Sequence, residues 1–214
     1  MKLIGMLDSP YVRRVAISLQ LLDLRFEHQS LSVFRGFDEF SRINPVVKAP
    51  TLVCDDGTVL MDSGLILEYA ESLAHPRSLV PSGPQALAAA LRVIGLALAA
   101  CEKSVQIVYE GMRPVERRHE PWVARVTGQL LAAYAALEEE LARRPLDASV
   151  AAIGQAGVST AVTWQFTQQL MPGVVAPAAH PALAAFSALA EALPAFRAAP
   201  HGDSTCRAGE ATPG

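Results

Sequence analysis

The sequence has no excess of positive charge: 18 Lys+Arg stand against 21 Asp+Glu, a formal net charge of -3 over 214 residues. No electrostatic feature therefore invites a nucleic acid as partner. Cysteine is scarce as well. Cys54, Cys101 and Cys206 are widely spaced and no C-x-x-C occurs, which leaves neither a disulfide framework nor a thiolate zinc site and makes a reducing cytoplasm the expected setting. His28, His75, His119, His180 and His201 show no i, i+4 pairing, so no metal is expected. Long apolar runs are missing too. Leu3–Leu7 is too short for the hydrophobic region of a signal peptide. Ala86–Cys101, broken only by Arg92, spans 16 residues where a membrane span needs roughly 20. It reads as a helix buried on most faces, in a core or a subunit interface, with no membrane partner. What the chain has in plenty is alanine and leucine: 51% of residues are hydrophobic, a composition that suits packed helices.

The first third alternates in kind. A strand at Lys2–Met6 precedes a helix at Pro10–Leu22, whose apolar face is Val12, Val15, Ala16, Leu19 and Leu22. A second strand is expected at Phe26–Gln29 and a short helix at Asp38–Ile43. Thr51–Cys54 and Thr58–Leu60 flank Asp55-Asp56-Gly57, a hairpin signal. A helix at Ser63–Leu73 follows, with Leu65, Ile66, Tyr69 and Leu73 inward. Pro76, Pro81, Gly83 and Pro84 mark a linker over residues 76–84. The remainder is helical in pattern, at Gln85–Gly111, Glu120–Arg143, Ser159–Leu170 and Pro181–Ala192, with proline-rich joints at Pro172–Pro177 and Pro194–Pro200. The expected division is 1–75 as an α/β domain, 85–200 as an all-helical domain, and 201–214 as a disordered tail.

Three N-terminal segments carry possible chemistry. At Asp8-Ser9-Pro10 a strand gives way to a helix with a hydroxyl at its N-cap and proline in its first turn. The unpaired N–H groups there stabilise an anion, a thiolate included. In Asn44-Pro45-Val46-Val47-Lys48-Ala49-Pro50-Thr51-Leu52, proline directly precedes a strand. A cis bond at Pro50 would turn the Ala49 backbone outward to pair with an extended peptide. Asp62-Ser63-Gly64 opens a helix whose free N–H groups and Ser63 hydroxyl suit a carboxylate. Each segment taken singly also reads as an ordinary cap or turn.

In order and spacing, the three closely resemble the N-terminal domain of bacterial cytosolic glutathione S-transferases. The pattern runs from Ser9 to Val15, from Asn44 to Leu52, and from Asp56 to Tyr69. A looser likeness extends over His180-Pro181-Ala182-Leu183 and Leu193-Pro194-Ala195-Phe196. The resemblance implies a thioredoxin-like βαβ-α-ββ-α domain packed on an all-helical domain, and a homodimer. It implies that Ser9 hydrogen-bonds the glutathione sulfur, that Ala49 before a cis Pro50 pairs with the cysteinyl backbone, and that Asp62 and Ser63 hold the γ-glutamyl end. Lys48 is a candidate for the glycine carboxylate. Glutathione is then a co-substrate, conjugated to small electrophilic acceptors in the manner of detoxification enzymes.

The demand on Ser9 is modest in size. Lowering a thiol pKa of about 8.5 by two units takes roughly 2.7 kcal/mol. One hydrogen bond to a charged group contributes about 1.5–3 kcal/mol and a helix N-terminus about 0.3–1. Tyr11, Phe34, Tyr109, Met112, Trp164 and Phe166 are candidates for lining the acceptor site, one or two of them facing it and the rest in the core. Arg13 and Arg14 could contact a ligand but read sooner as solvated on an amphipathic helix, and Cys54 reads as a buried apolar residue. Ser159-Thr160-Ala161-Val162 stands where the family's helix opens with S/T-x-x-D, so a capping box is expected to be missing there. A glutathione-dependent isomerase lacks its S-S-x-S opening here, and a disulfide reductase would favour cysteine at Ser9. A non-catalytic scaffold of the same fold would need none of the polar set.

Overall fold

The computed structural model describes residues 1–207 and divides into two compact units. One holds Met1–Leu79 together with the segment from Ala192 onward, the other Val80–Glu191.

The first unit is built on four short strands, β1 (Lys2–Ile4), β2 (Glu27–Gln29), β3 (Thr51–Val53) and β4 (Val59–Met61), in the order β2-β1-β3-β4. β1 pairs parallel with β2 through the crossover helix α1 (Pro10–Leu21), and β3 pairs antiparallel with β1 and with β4. Alternation along β1 sends Leu3 and Ile4 to opposite faces, and both are buried. Ile4 meets Leu31 and Phe40 of α2 (Phe37–Ile43). α1 packs against β1 and against α3 (Ser63–Ala74), burying Val12, Val15, Ala16, Leu19, Ile66 and Ala70. This is the thioredoxin-like arrangement of the expected βαβ-α-ββ-α order.

α3 departs from the expected facing. Ile66, Leu67 and Ala70 are buried, whereas Leu65 is 61% and Leu73 46% exposed. Leu65 and Leu73, with the half-buried Tyr69 between them, form an i, i+4, i+8 row on a helix that contacts β4, where Val59 and Met61 are exposed as well.

The second unit holds α4 (Pro84–Gly111), α5 (Glu120–Arg143), α6 (Gly154–Leu170) and α7 (Pro181–Glu191). α6 is the central rod, buried from Gln155 to Trp164 and again at Phe166 and Thr167. An added Cβ at Gly157 would lie 2.7 Å from Ile153 and 3.0 Å from Phe186, so glycine lets α7 approach. The Thr167 hydroxyl gathers Ser104 Oγ at 2.8 Å and Tyr134 Oη at 2.6 Å. The Glu138 carboxylate accepts the N–H groups of Ala182 and Leu183 and so caps α7. Trp164 and Phe166, candidates for the acceptor site, are core residues, Trp164 lying edge-on to Tyr134 at 5.4 Å.

Three expectations change. α6 begins at Gly154, so Ser159 and Val162 sit inside the helix and are buried; a capping box has no place at that position. α4 runs for 28 residues, long and apolar enough to cross a membrane by length and composition, because Gln85 and the segment after Cys101 continue the helix. The length argument against a span therefore lapses, and only Val93, Ile94, Ala97, Ala100, Cys101 and Ser104 along it are buried in the chain.

The third change is the C-terminal boundary. Pro194 starts α8 (Pro194–Ala198) rather than a joint, for proline serves equally as breaker and as first helical residue. α8 belongs with the first unit: Arg13 Nε donates to the Ala199 carbonyl at 2.8 Å, its guanidinium lies over Phe196, and Gln20 donates to the Ala195 carbonyl. Residues 201–207 continue along the same unit, with Ser30 Oγ donating to Asp203 O and the Cys206 N–H to His28 Nδ1. The expected disordered tail is thus tethered as far as Arg207; its remaining part, 208–214, lies outside the described residues.

His28 is buried between the Gly5 carbonyl, 2.8 Å from Nε2, and the Cys206 N–H, 2.9 Å from Nδ1. Nδ1 must keep its lone pair, so Nε2 carries the proton. Burial pushes the imidazole below its ordinary value, although the Gly5 carbonyl favours the charged form. The unfolded chain then takes up the proton at higher pH than the folded one. This share of stability is complete above about pH 6.5 and is lost as pH falls below it. Melting temperatures between about pH 8 and pH 5 are expected to drop below that point, and less steeply in His28→Asn. An identical slope in the variant would remove His28 as the cause.

Candidate functional site

Gly5 follows β1 with φ +135, and a Cβ there would stand 2.6 Å from Val12 and 3.1 Å from Ala49. Only glycine lets the start of α1 and the segment before β3 meet across this turn. Ser9 follows as the N-cap of α1. Its backbone is extended, its carbonyl accepts the Arg13 N–H, and its Oγ accepts the Val12 N–H at 3.5 Å. That long bond uses one lone pair and leaves the hydroxyl proton to donate elsewhere. Burial raises the carboxyl of the neighbouring Asp8, opposed by the His201 charge and the Ser9 N–H.

The segment ahead of β3 is shaped by Asn44. Its Nδ2 donates to Thr51 Oγ1 at 2.9 Å, its Oδ1 accepts the Val46 N–H at 3.0 Å, and Thr51 Oγ1 donates on to the Lys48 carbonyl at 2.7 Å. Val47 is held at φ +53, a costly place for a β-branched residue, with its N–H on the Asn44 carbonyl. The Ala49–Pro50 peptide is cis. No hydrogen bond among the described residues engages the Ala49 N–H or carbonyl, so both backbone groups are open to a strand-like ligand.

Asp62, at φ +74, turns the chain from β4 into α3 and caps the helix through Oδ1, which accepts the Gly64 N–H at 2.9 Å. Its Oδ2 faces Lys48 Nζ at 3.3 Å with both side chains half exposed. Partial burial raises this carboxyl, but the Gly64 N–H, Lys48 and the charge of Arg14 outweigh it and hold it below the usual range. Ser63 is buried beside it, and its Oγ accepts an N–H of Arg14 at 3.2 Å.

Ser9, Lys48, Ala49, Pro50, Asp62 and Ser63 therefore all lie in the first unit, joined by three links: the Lys48–Asp62 ion pair, the Gly5 turn against Ala49, and the α1–α3 contact through Arg14 and Ser63. Such a set offers a hydroxyl donor, an extended backbone edge, a carboxylate and a cation. Of the acceptor candidates, Tyr11 is half-buried and Phe34 62% exposed in the same unit; Tyr109 and Met112, at the end of α4, are exposed in the other. Cys54 is buried, as expected.

Sequence reasoning missed two residues. Arg13 and Arg14, read as solvated, are 2% and 4% exposed. The signal was present: they sit between Val12 and Val15 on a helix whose buried face runs unbroken from Val12 to Leu19. Asn44 was part of the pattern but had no role assigned.

Residues 3–78 match the family model "Glutathione S-transferase, N-terminal domain". An uncharacterized GST-like protein of Escherichia coli is 25% identical over 173 residues, 81% of this chain and 86% of its own. Among solved structures, a glutathione S-transferase of Methylobacterium radiotolerans in complex with glutathione sulfonate superposes with TM-score 0.84 at 27% identity, covering 92% of each chain. A glutathione transferase family member of Pseudomonas fluorescens with bound S-(propanoic acid)-glutathione gives 0.74 at 28% identity, over 93% of this chain and 98% of that one.

Removing the Asn44 amide takes away the donor to the buried Thr51 hydroxyl, which keeps only its own bond to the Lys48 carbonyl, and frees the Val46 N–H. Asn44→Ala is expected to lower stability by about 1–3 kcal/mol in urea unfolding, because two bonds that fix the Lys48–Pro50 segment disappear together. A change within about 0.5 kcal/mol would show that the segment is held by other means.

Proposed function

Starting from a glutathione S-transferase N-terminal domain over residues 3–78, we propose that the protein is a glutathione transferase of the serine type. Ser9 donates its hydroxyl proton to the glutathione sulfur and, with the start of α1, stabilises the thiolate. The sulfur then forms a bond to an electrophilic carbon while the leaving group departs with its electron pair. The thiol proton goes to solvent, and Ser9 keeps its own. Ala49 pairs with the cysteinyl backbone ahead of cis Pro50. Asp62 meets the γ-glutamyl amine, Ser63 and the α3 N–H groups its carboxylate, and Lys48 the glycine carboxylate. Tyr11 and Phe34, in the same unit, are the residues proposed for the acceptor.

The observation that carries this reading is the state of Ser9: a hydroxyl at a helix start, half-buried, with a lone pair committed and a proton to give. The glutathione-derived ligands of the relatives from Methylobacterium and Pseudomonas support the same choice of co-substrate. A scaffold would require none of these polar groups. A cytoplasmic setting, where glutathione is plentiful and cysteines stay reduced, fits three cysteines that form no disulfide among the described residues.

Replacing the hydroxyl tests the mechanism. In Ser9→Ala, calorimetry is expected to retain glutathione binding, while turnover of an activated aryl halide falls about 10- to 150-fold, the worth of a hydrogen bond to a charged group. The ultraviolet thiolate absorbance of bound glutathione should then titrate at higher pH than in the wild type, toward about 8.5, the value of a free thiol, with only the contribution of the α1 start remaining. Turnover equal to that of the wild type would end the serine mechanism.

We propose a homodimer as well. Support comes from the exposed Leu65 and Leu73 of α3, the exposed Val59 and Met61 on an edge strand, and the apolar surface of α4. Sedimentation is expected to give a dimer that Leu65→Glu dissociates. A wild-type monomer at micromolar concentration would remove this part of the reading.

A further inference from the structure

Arg14 is a charge inside the first unit, 4% exposed, and its Nη1 reaches Ser63 Oγ, the first residue of α3. A serine hydroxyl has one proton and two lone pairs, whereas guanidinium has only protons to give. The bond can therefore run in one direction only, from Arg14 into a lone pair of Ser63. That choice decides what the hydroxyl does next. Its proton has no use toward Arg14 and is left to face an acceptor at the start of α3, where the unpaired N–H groups already favour an anion. A bond from a charged donor also polarises the O–H it feeds, so the outgoing bond strengthens.

We propose that Arg14 is a positioning residue for the γ-glutamyl carboxylate: it acts through Ser63, which it fixes as a hydrogen-bond donor, without touching the ligand. This rests on the glutathione reading above and adds to it the source of selectivity at one end of the peptide. The neighbouring groups agree in sign. Asp62, one residue earlier, accepts the Gly64 N–H on one oxygen and faces Lys48 with the other; each oxygen keeps a further lone pair, and the half-exposed carboxylate can meet a cationic amine. A negative group and a polarised donor on consecutive residues match the two charges of an amino-acid end, amine to Asp62 and carboxylate to Ser63. Neutralising Arg14 would loosen the second match and leave the first.

The test uses glutathione and its γ-aminobutyryl analogue, which keeps the amine and lacks the α-carboxylate. Arg14→Met, Ser63→Ala and the double variant are compared with the wild type by calorimetry for glutathione and by kcat/KM for the analogue. Arg14→Met is expected to weaken glutathione binding about 10-fold, to raise KM with kcat at saturation unchanged, and to change kcat/KM for the analogue less than about twofold. In the Ser63→Ala background, Arg14→Met should add less than about twofold, since its route to the ligand is gone. Equal losses for both peptides, multiplying losses in the double variant, or undiminished glutathione binding in Arg14→Met would each overturn the proposal. If Arg14→Met does not fold, Arg14→Lys carries the same comparison, because it keeps the charge and gives up the planar fork. A loss restricted to glutathione then supports the proposal and an equal loss overturns it. A wild-type chain that binds glutathione while the variants fail these expectations refutes the positioning role alone. A wild-type chain that ignores glutathione refutes the function together with it.

Discussion

Two guanidinium groups enter the interior of the first unit on consecutive residues of one helix, and a buried charge has to be met. Leaving one without hydrogen bonds would cost several kcal/mol, so its partners are pinned as firmly as any core side chain. Arg13 takes the Ala199 carbonyl and the face of Phe196; Arg14 takes Ser63. α1 thereby fixes the last helix with one residue and the start of α3 with the next. Its own first turn begins at Ser9, four residues before Arg13. The hydroxyl proposed to meet the sulfur and the hydroxyl proposed to meet the carboxylate are thus held to one rigid rod.

Hydrogen-bond direction is the second constraint. Ser9 Oγ accepts the Val12 N–H and Ser63 Oγ accepts Arg14, so each hydroxyl has spent acceptor capacity on the protein and retains its proton. Thr51 is the contrasting case: it accepts from Asn44 and donates to Lys48 O, and is closed on itself. Side chains of the same chemistry therefore divide into those that build the loop and those left with something to give. That division is invisible in residue type and is set by where α1, α3 and β3 place their neighbours.

Much of the first unit was legible in the sequence, because its signals are local. Alternation, the Asp55-Asp56-Gly57 turn, and the caps at Ser9 and Asp62 fix β1 through α3 to within a residue or two. What failed was any feature that depends on a distant partner. Arg13 and Arg14 read as surface charges until α8 and α3 arrive. Leu65 and Leu73 read as core, since periodicity identifies an apolar row and not what covers it. α6 has apolar and small residues on every side, so its start at Gly154 leaves no amphipathic edge to recognise, and Ser159 passed for a cap. Within the site, residue identities were readable from spacing, whereas Asn44 and Arg14 act through contacts that no spacing encodes.

The return of the chain's end to its beginning carries a consequence for inheritance. Met1–Leu79 is contiguous in sequence but incomplete as a body, for Phe196 and Ala199 are wholly buried in it and His28 is closed over by Cys206. A recombination event that exchanged only the leading segment between two genes of this kind would hand the newcomer a foreign final helix. The two extremities, separated in sequence by the entire helical region, therefore have to fit one another in packing for either to be buried.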